Sequence, residues 1–146
     1  RHTRVEEPRA GQHGRSLQLT YEKKATGWCG YYSLLNQIDG DYYNLRDFDR
    51  VSFLLRGEHG GEMFELGLAD RNWINIGDSL KAGAITDYLP DGVTTNWQNV
   101  TVPLEDFGLL DFSEMGSFTI NFHEKGEGTI YIDNLTFHLR EQEEPL

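Results

Sequence analysis

Hydrophobic and polar residues alternate along this chain in short runs. Within 17–21 every second residue is Leu or Tyr, and within 118–123 Phe and Ile alternate with polar residues. A period of two is typical of a β-strand that buries one face. Gly, Asp, Asn and Pro end the runs, so the pattern predicts an antiparallel all-β protein. The strands, about eight in number, are expected in 17–21, 28–35, 51–55, 64–68, 73–76, 97–102, 118–123 and 129–139.

The spacing of the turns between these strands is typical of β-sandwiches and barrels. Two segments, 79–95 and 104–116, are long for hairpins and are expected to cross between sheets. The glycine-containing segment 124–128 reads as a hairpin loop that leads into the last strand. The chain has 146 residues, which fits one domain. We expect this domain over 1–139, followed by an acidic tail or linker at 140–146.

The charge balance excludes two classes of partner. Asp and Glu number 24 against 13 Lys and Arg, which gives a formal net charge of −11. Nucleic acids bind through basic side chains that release their counterions, so neither a nucleic acid nor an anionic membrane surface is expected as partner. No apolar run approaches the ~20 residues of a spanning helix, so membrane insertion is not expected either.

The familiar sequence signals of catalysis are missing. Cys29 is the single cysteine, which forbids an internal disulfide and a cysteine-based zinc site. The chain has no phosphate-binding glycine loop, nucleophile elbow or dinucleotide-binding motif. Glycosidases need two carboxyl groups at a defined separation, and a chain with 24 acids supplies such pairs by chance. We therefore do not expect an enzyme.

Four segments, 14–21, 26–32, 97–107 and 128–137, together carry a family resemblance. The third contains Trp-x-x-Val-x-Val-Pro-Leu and the fourth Ile-Asp-Asn-Leu. In order and spacing they resemble the non-catalytic carbohydrate-binding modules of galactose-binding-like β-sandwich (jelly-roll) fold, above all β-glucan-binding modules of bacterial endoglucanases. The last two are also similar to the complex I intermediate-associated family. The resemblance covers most of residues 14–139.

The resemblance implies that the chain binds a β-linked polysaccharide on an aromatic-lined concave face. In such a site flat aromatic rings cover the apolar face of a sugar, while polar side chains bind its hydroxyls. Trp28 matches the family position at which a ring lines the cleft, and Tyr32 has the same strand parity. The alternative for Trp28 is packing in the core.

Further ligand-binding candidates follow from alternation and from position beside loops. Asn121 and His123 lie on the face opposite to their apolar neighbours, and Glu65 bears the same relation to Phe64. These three would flank the cleft if their face is concave, and would be ordinary solvated side chains if it is convex. Trp73 and Tyr88 stand beside loops, where they would extend the platform or anchor the loop.

The resemblance also implies a structural Ca²⁺, held by Asp133 in the last strand. The family's other carboxylate normally comes from a first strand with an Asp-Asp-Phe-Glu-like segment. Here that strand looks missing or replaced by 1–10, and Glu6 or Glu7 would have to substitute as the second oxygen ligand. Without a metal, Asp133 would cap a turn or pair with a basic side chain.

Two alternatives to sugar binding remain open at this stage. Aromatic residues are enriched in protein interfaces too, so the sandwich could serve assembly with identical subunits. A missing first strand would leave a sheet edge open to a neighbouring chain. The other alternative is an intracellular assembly factor. The carbohydrate-binding hypothesis instead places the protein outside the cell or at its surface, as one module of a longer polypeptide.

Overall fold

The computed structural model describes residues 1–11, 14–35 and 42–141, and in these ranges nine strands form two antiparallel sheets. In spatial order the five-stranded sheet consists of β1 (His2–Val5), β2 (Ser16–Lys23), β9 (Gly126–Leu139), β4 (Phe48–Gly57) and β7 (Gln98–Pro103). The four-stranded sheet consists of β3 (Gly30–Leu34), β8 (Met115–Asn121), β5 (Glu65–Asp70) and β6 (Leu80–Ala84). The predicted all-β sandwich is confirmed.

The core lies between the two sheets and follows the alternation of the sequence. In β4 the side chains of Val51, Phe53 and Leu55 are fully buried, and in β8 those of Phe118 and Ile120 pack against them. Successive strand residues point to opposite sides, so the residues between them face outward. The outward side of the four-stranded sheet is called the outer face below.

Helical segments connect the strands at a few places. The helix α1 (Arg71–Ile76) follows β5, and three short 3-10 helices span Ile85–Asp87, Leu104–Phe107 and Phe112–Glu114. The last three lie in the two segments that leave one sheet for the other, which confirms that 104–116 crosses between the sheets. The other predicted crossing, 79–95, is right only after Ala84, because Leu80–Ala84 forms β6 at the edge of the four-stranded sheet. Among the helices of the described ranges, none has the length and apolar character needed to span a membrane.

The predicted hairpin between the last two strands is wrong. Strand β8 belongs to the four-stranded sheet, where β3 and β5 occupy both of its edges. Strand β9 belongs to the other sheet and pairs with β2 and β4. Because β8 has no free edge, the chain after Asn121 has to cross the end of the sandwich.

The strand predicted at 73–76 is also wrong, since these residues belong to α1. The side chain of Asp70 caps the helix by accepting the N–H of Trp73 at 3.0 Å. Gly77 ends the helix in the left-handed conformation, and its N–H bonds back to the carbonyls of Trp73 and Ile74. Local capping therefore outweighed the apolar character of the segment.

The N-terminal residues cover one edge of the five-stranded sheet. Strand β1 pairs with residues 16–19 of β2 in antiparallel register. The segment after it is tied down, because Ser16 Oγ donates to the Pro8 carbonyl at 2.6 Å and the Ala10 N–H donates to Asp133 Oδ2 at 3.0 Å. The edge of β2 that could have accepted a foreign strand is thus occupied by this chain's own residues.

Candidate functional site

One row of residues across the outer face contains two of the predicted polar candidates, and a third lies beside it. Gly30, Asn121 and Glu65 are direct partners in the neighbouring strands β3, β8 and β5. At the usual strand spacing this row measures ~10 Å from Gly30 to Glu65. Asn121 Nδ2 donates to Glu65 Oε1 at 2.8 Å, and His123 Nδ1 lies 3.9 Å from the same oxygen. A carboxylate–amide pair with an adjacent imidazole therefore stands on this face.

Two exposed aromatic side chains lie beside that polar group. Trp28 is 66% exposed, and a Cβ placed on Gly30 would come within 2.5 Å of its Cζ2 atom. The absence of a side chain at Gly30 is what lets the indole lie against the strand. Tyr32 is 60% exposed and points to the same side of β3 as Gly30, ~7 Å further along. Trp28 is therefore a surface ring and does not belong to the core.

Small residues form the floor next to these rings. Thr119 of β8 is the register partner of both Tyr32 and Gly67, and it is buried although it faces outward. At Gly67 a Cβ would lie 2.7 Å from Ser79 Oγ, so only glycine allows Ser79 to pack there. Glycine inside a strand often marks a place where another group approaches the sheet closely. On the outer face Ser79 therefore packs over Gly67, beside Thr119.

A salt bridge borders the face on the β6 side. Lys81 is the register partner of Gly67, and its Nζ lies 2.8 Å from Asp78 Oδ1 and 2.9 Å from the Ser79 carbonyl. The hydrogen bond from Lys81, and then that from the Ser79 N–H, hold the pKa of Asp78 below its usual value. Asp78, Ser79 and Lys81 were not among the predicted site residues, because segment 79–95 was expected only to connect the two sheets. The glycine at position 67, inside an alternating strand, could have indicated that another segment approaches the sheet there.

The other two predicted ligand residues lie elsewhere. Trp73 is half-buried on α1, beyond the end of β5 that is opposite to Glu65. Tyr88 follows the 3-10 helix Ile85–Asp87, packs against the core, and donates its hydroxyl to Asp106 Oδ2 at 2.9 Å. Burial and this hydrogen bond raise the pKa of Tyr88. The structure thus groups Trp28, Tyr32, Glu65, Asn121 and His123, and the binding roles of all seven residues stay predictions.

Asp133, the predicted calcium ligand, is hydrogen-bonded to backbone groups. Its two carboxylate oxygens accept the N–H groups of Ala10 and Asn134, at 3.0 and 2.9 Å. Glu6 Oε1 lies 3.5 Å from Arg15 Nη2, and both side chains are exposed. Over residues 1–11, 14–35 and 42–141 no three His, Cys, Asp or Glu side chains gather as a metal site requires. The calcium prediction, with Glu6 or Glu7 as second ligand, therefore stays a prediction and enters no step below.

A β-sandwich with exposed aromatic rings and a hydrogen-bonded carboxylate–amide pair on one open sheet has the features of a carbohydrate-binding module. Such a module binds sugar and catalyses nothing. The family model Carbohydrate binding domain 30 matches residues 4–138, and the chain belongs to this family. The predicted class, non-catalytic carbohydrate binding by a β-sandwich, is confirmed.

Solved structures share the fold. A crystal structure of a family 30 carbohydrate-binding module has a TM-score of 0.78 at 18% identity, covering 99% of this chain and 77% of that one. The family 30 module of cellulosomal cellulase Cel9D-Cel44B of Clostridium thermocellum has a TM-score of 0.77 at 19% identity, covering 97% and 83%.

A family 11 module from Clostridium thermocellum, in complex with a β-1,3-1,4-mixed-linked tetrasaccharide, has a TM-score of 0.72 at 17% identity. It covers 94% of this chain and 81% of its own. At such identities the likeness shows the fold alone. Among curated proteins no sequence matches the chain.

Proposed function

We propose that this module binds a β-linked glucan chain on the outer face, with Trp28 and Tyr32 as the aromatic platform. The observation that carries the proposal is the placement of two exposed rings on one side of β3, beside the Glu65–Asn121 pair. The choice of a β-linked glucan is supported by the family 11 module, which has the same fold and was solved with a mixed-linked tetrasaccharide.

The polar group beside the rings would select the sugar hydroxyls. An ionised carboxylate has about four acceptor positions, and Asn121 uses one at Glu65, so hydroxyl groups can donate to the others. His123 adds a ring nitrogen on the same side. The hydrogen bond between Asn121 and Glu65 holds both side chains in position before the ligand arrives, which reduces the entropy lost on binding.

The two outlying candidates take different roles in this proposal. Trp73, at the far end of β5, would extend the platform along the strand direction. For Tyr88, the hydrogen bond to Asp106 supports the role of a loop anchor, because it ties two consecutive connecting segments together.

We further propose that the module works outside the cell, joined to other domains of a longer polypeptide. The support is its similarity to a family 30 module that belongs to a cellulosomal cellulase. A polysaccharide too large to enter a cell is reached only there. A non-catalytic binding domain would then keep its partner domains close to the polymer and raise their effective concentration.

Affinity electrophoresis in gels that contain mixed-linked β-glucan, hydroxyethylcellulose, xylan or starch tests the proposal. We expect the two β-glucans to retard the wild type and starch to leave it unretarded. The Asn121→Ala variant should be retarded less, since Glu65 loses its partner. Asn99→Ala is the matched control, an exposed Asn on the other sheet that bonds to Thr101. Retardation by starch equal to that by β-glucan, or equal effects of the two substitutions, would contradict the proposal.

A further inference from the structure

The gap between the two sheets is closed on one side of the sandwich and open on the other. On the side of β6 and β7, the 3-10 helix Leu104–Phe107 contacts β4, β6 and β7, and the side chains of Leu104 and Phe107 are buried. On the opposite side, where β1 and β3 are the edge strands, a pocket of about 210 Å³ lies between the sheets. It is called the side pocket below.

The residues of β1 and β3 determine where the side pocket begins. The rings of His2 and Tyr31 contact each other across the gap, at 5.2 Å between their centroids. Two residues further along the same strands, Arg4 and Ser33 line the pocket. Alternate residues of a strand point to the same side, so Arg4 and Ser33 also face the gap, but neither carries a ring that could close it.

The floor of the side pocket is apolar and belongs to the margin of the core. Its apolar side chains are those of Leu17, Phe118, Ile120, Ile132 and Leu135. Phe118 and Ile132 are buried members of the core, whereas Leu17 is only partly buried and Leu135 is 37% exposed. An apolar group that enters the pocket would cover Leu17 and Leu135, and burial of apolar surface is favourable.

A β-bulge forms one wall of the side pocket. The register of β9 against β4 shifts here, so that Asn134 and Leu135 together stand opposite Phe53. Asn134 has a φ of 55°, and it is the one residue other than glycine with a positive φ in the part of the chain that the structure describes. Both bulge residues line the pocket. Bulges often redirect a side chain beside a binding site, and strained backbone is common at such sites.

The side pocket contains one cation without an acidic partner. Among the described residues, none forms an ion pair or a hydrogen bond with the guanidinium of Arg4. Arg15, the other cation of the lining, lies 3.5 Å from Glu6. The carboxylate of Asp133 accepts two backbone N–H groups. In a chain with a net charge of −11, the charge of Arg4 is thus left for a ligand.

The size and the remaining polar groups of the side pocket fit a ring with one anionic end. A cavity of ~150 Å³ lined by Leu, Ile and Phe holds a benzene ring, so the larger side pocket has room for a short polar end as well. The hydroxyls of Tyr31 and Ser33, two further lining residues, have no hydrogen-bond partner among the described residues and can donate to an anion. A sugar fits less well, because several of its hydroxyls would face the apolar floor without partners.

We propose that the side pocket binds a small aromatic carboxylate, with its ring on Phe118 and Leu135 and its carboxylate on Arg4. A guanidinium can donate two parallel hydrogen bonds to a carboxylate, which fixes the orientation of the ligand. The site is separate from the outer face, because Ser33 leaves β3 on the side opposite to Tyr32. The inference therefore does not rest on the proposed function.

The test is an amide-resolved NMR titration of the whole chain with benzoate. We expect shifts at Arg4, Ser33 and Leu135, and none at Glu65 and Gly67 on the outer face. Benzyl alcohol has the same ring without the charge, and acetate has the charge without the ring. Benzoate should bind about tenfold more tightly than benzyl alcohol, because hydrogen bonds between charged groups are the stronger ones. Acetate should cause no shifts at concentrations at which benzoate saturates the site.

Three variants separate the ring from the carboxylate. Arg4→Gln should remove the preference for benzoate and leave the binding of benzyl alcohol unchanged. Arg46→Gln is the matched control, because it removes the same charge from an exposed Arg outside the pocket that bonds to Asn44, and it should keep the preference. Leu135→Ala removes part of the apolar lining and should weaken both ring compounds about threefold.

Each result decides the proposal. A preference for benzoate that is lost in Arg4→Gln and kept in Arg46→Gln supports it. No shift at Arg4, Ser33 and Leu135 with benzoate, or an equal loss of preference in the two arginine variants, would overturn it. Equal affinity of acetate and benzoate would show an anion site only and overturn the assignment of the ring. None of these results bears on glucan retardation in gels, so the proposed function is tested separately.

Discussion

Replacing Trp28 by Ala is the sharpest test of the outer face. A large aromatic side chain offers up to ~250 Å² of contact area, and two thirds of Trp28 is exposed. A sugar ring that covers one side of the indole would bury roughly half of that exposed area, or ~80 Å². At ~25 cal/mol per Å² this is worth ~2 kcal/mol. The dissociation constant should therefore rise about 30-fold.

Isothermal titration calorimetry with mixed-linked β-glucan oligosaccharides measures this change directly. Trp28→Phe keeps a smaller ring and should fall between the wild type and the alanine variant. Gly30→Ala keeps Trp28 but places a Cβ 2.7 Å from the Ile120 carbonyl oxygen and against the indole. It should weaken binding by moving the ring.

Leu109→Ala is the control, because Leu109 is 98% exposed and lies outside the outer face. It removes an exposed apolar side chain without touching the platform. If Trp28→Ala binds within twofold of the wild type, or if Leu109→Ala weakens binding equally, the indole is not a sugar platform and the reasoning from exposure fails.

Three further predictions concern stability. Asp70→Ala removes the acceptor for the N–H groups of Trp73 and Asp111, so it should lower the free energy of unfolding, measured by urea titration, by about 2–4 kcal/mol. Asp70→Asn keeps one acceptor oxygen and should lose less, and equal losses in the two variants would contradict the capping role. The pKa of Tyr88 in the folded state is raised above its unfolded value of about 10. The protonated hydroxyl of Tyr88 therefore stabilises the folded state below about pH 10, and this stabilisation is lost as the pH rises through the folded pKa. The unfolding free energy of the wild type should fall above about pH 10, less steeply in Tyr88→Phe, and parallel pH profiles would refute this assignment. Asp133→Ala should cost about 1–3 kcal/mol in EDTA and in CaCl₂ alike, because its partners are backbone N–H groups, whereas a loss confined to CaCl₂ would show a metal ligand.

The local sequence encodes the orientation of the strand residues and also the helix that the strand prediction missed. The alternation around Glu65 and Asn121 placed both on the side opposite to Phe64 and Ile120, as the structure has them. The helix at 71–76 was also encoded locally, by an Asp that caps its start and a glycine that ends it. The prediction of a strand at 73–76 was wrong because this apolar run is too short to distinguish a helical period from a strand period.

Other features depend on contacts between distant parts of the chain. The pairing of Gly30 with Asn121 brings Trp28 close to the polar group on β8 and β5, and no local pattern predicts which strand lies beside β3. The burial of Glu62 is not indicated by the residues around it, because it arises from Gly57 and from the closing of the sandwich end. The position of the Lys81–Asp78 salt bridge beside Gly67 likewise depends on the pairing of β5 with β6, which no local pattern predicts.

The class of the protein, the buried side of the strands with clear alternation, and the motifs of its family can all be read from the sequence alone. Those properties depend on a period of two and on short segments, which act over a few residues. The tertiary structure decided which polar residues meet, which sheet carries the exposed rings, and where a pocket opens between the sheets. Strand pairing and close packing join residues far apart in the chain, so these properties exist only once the two sheets have formed.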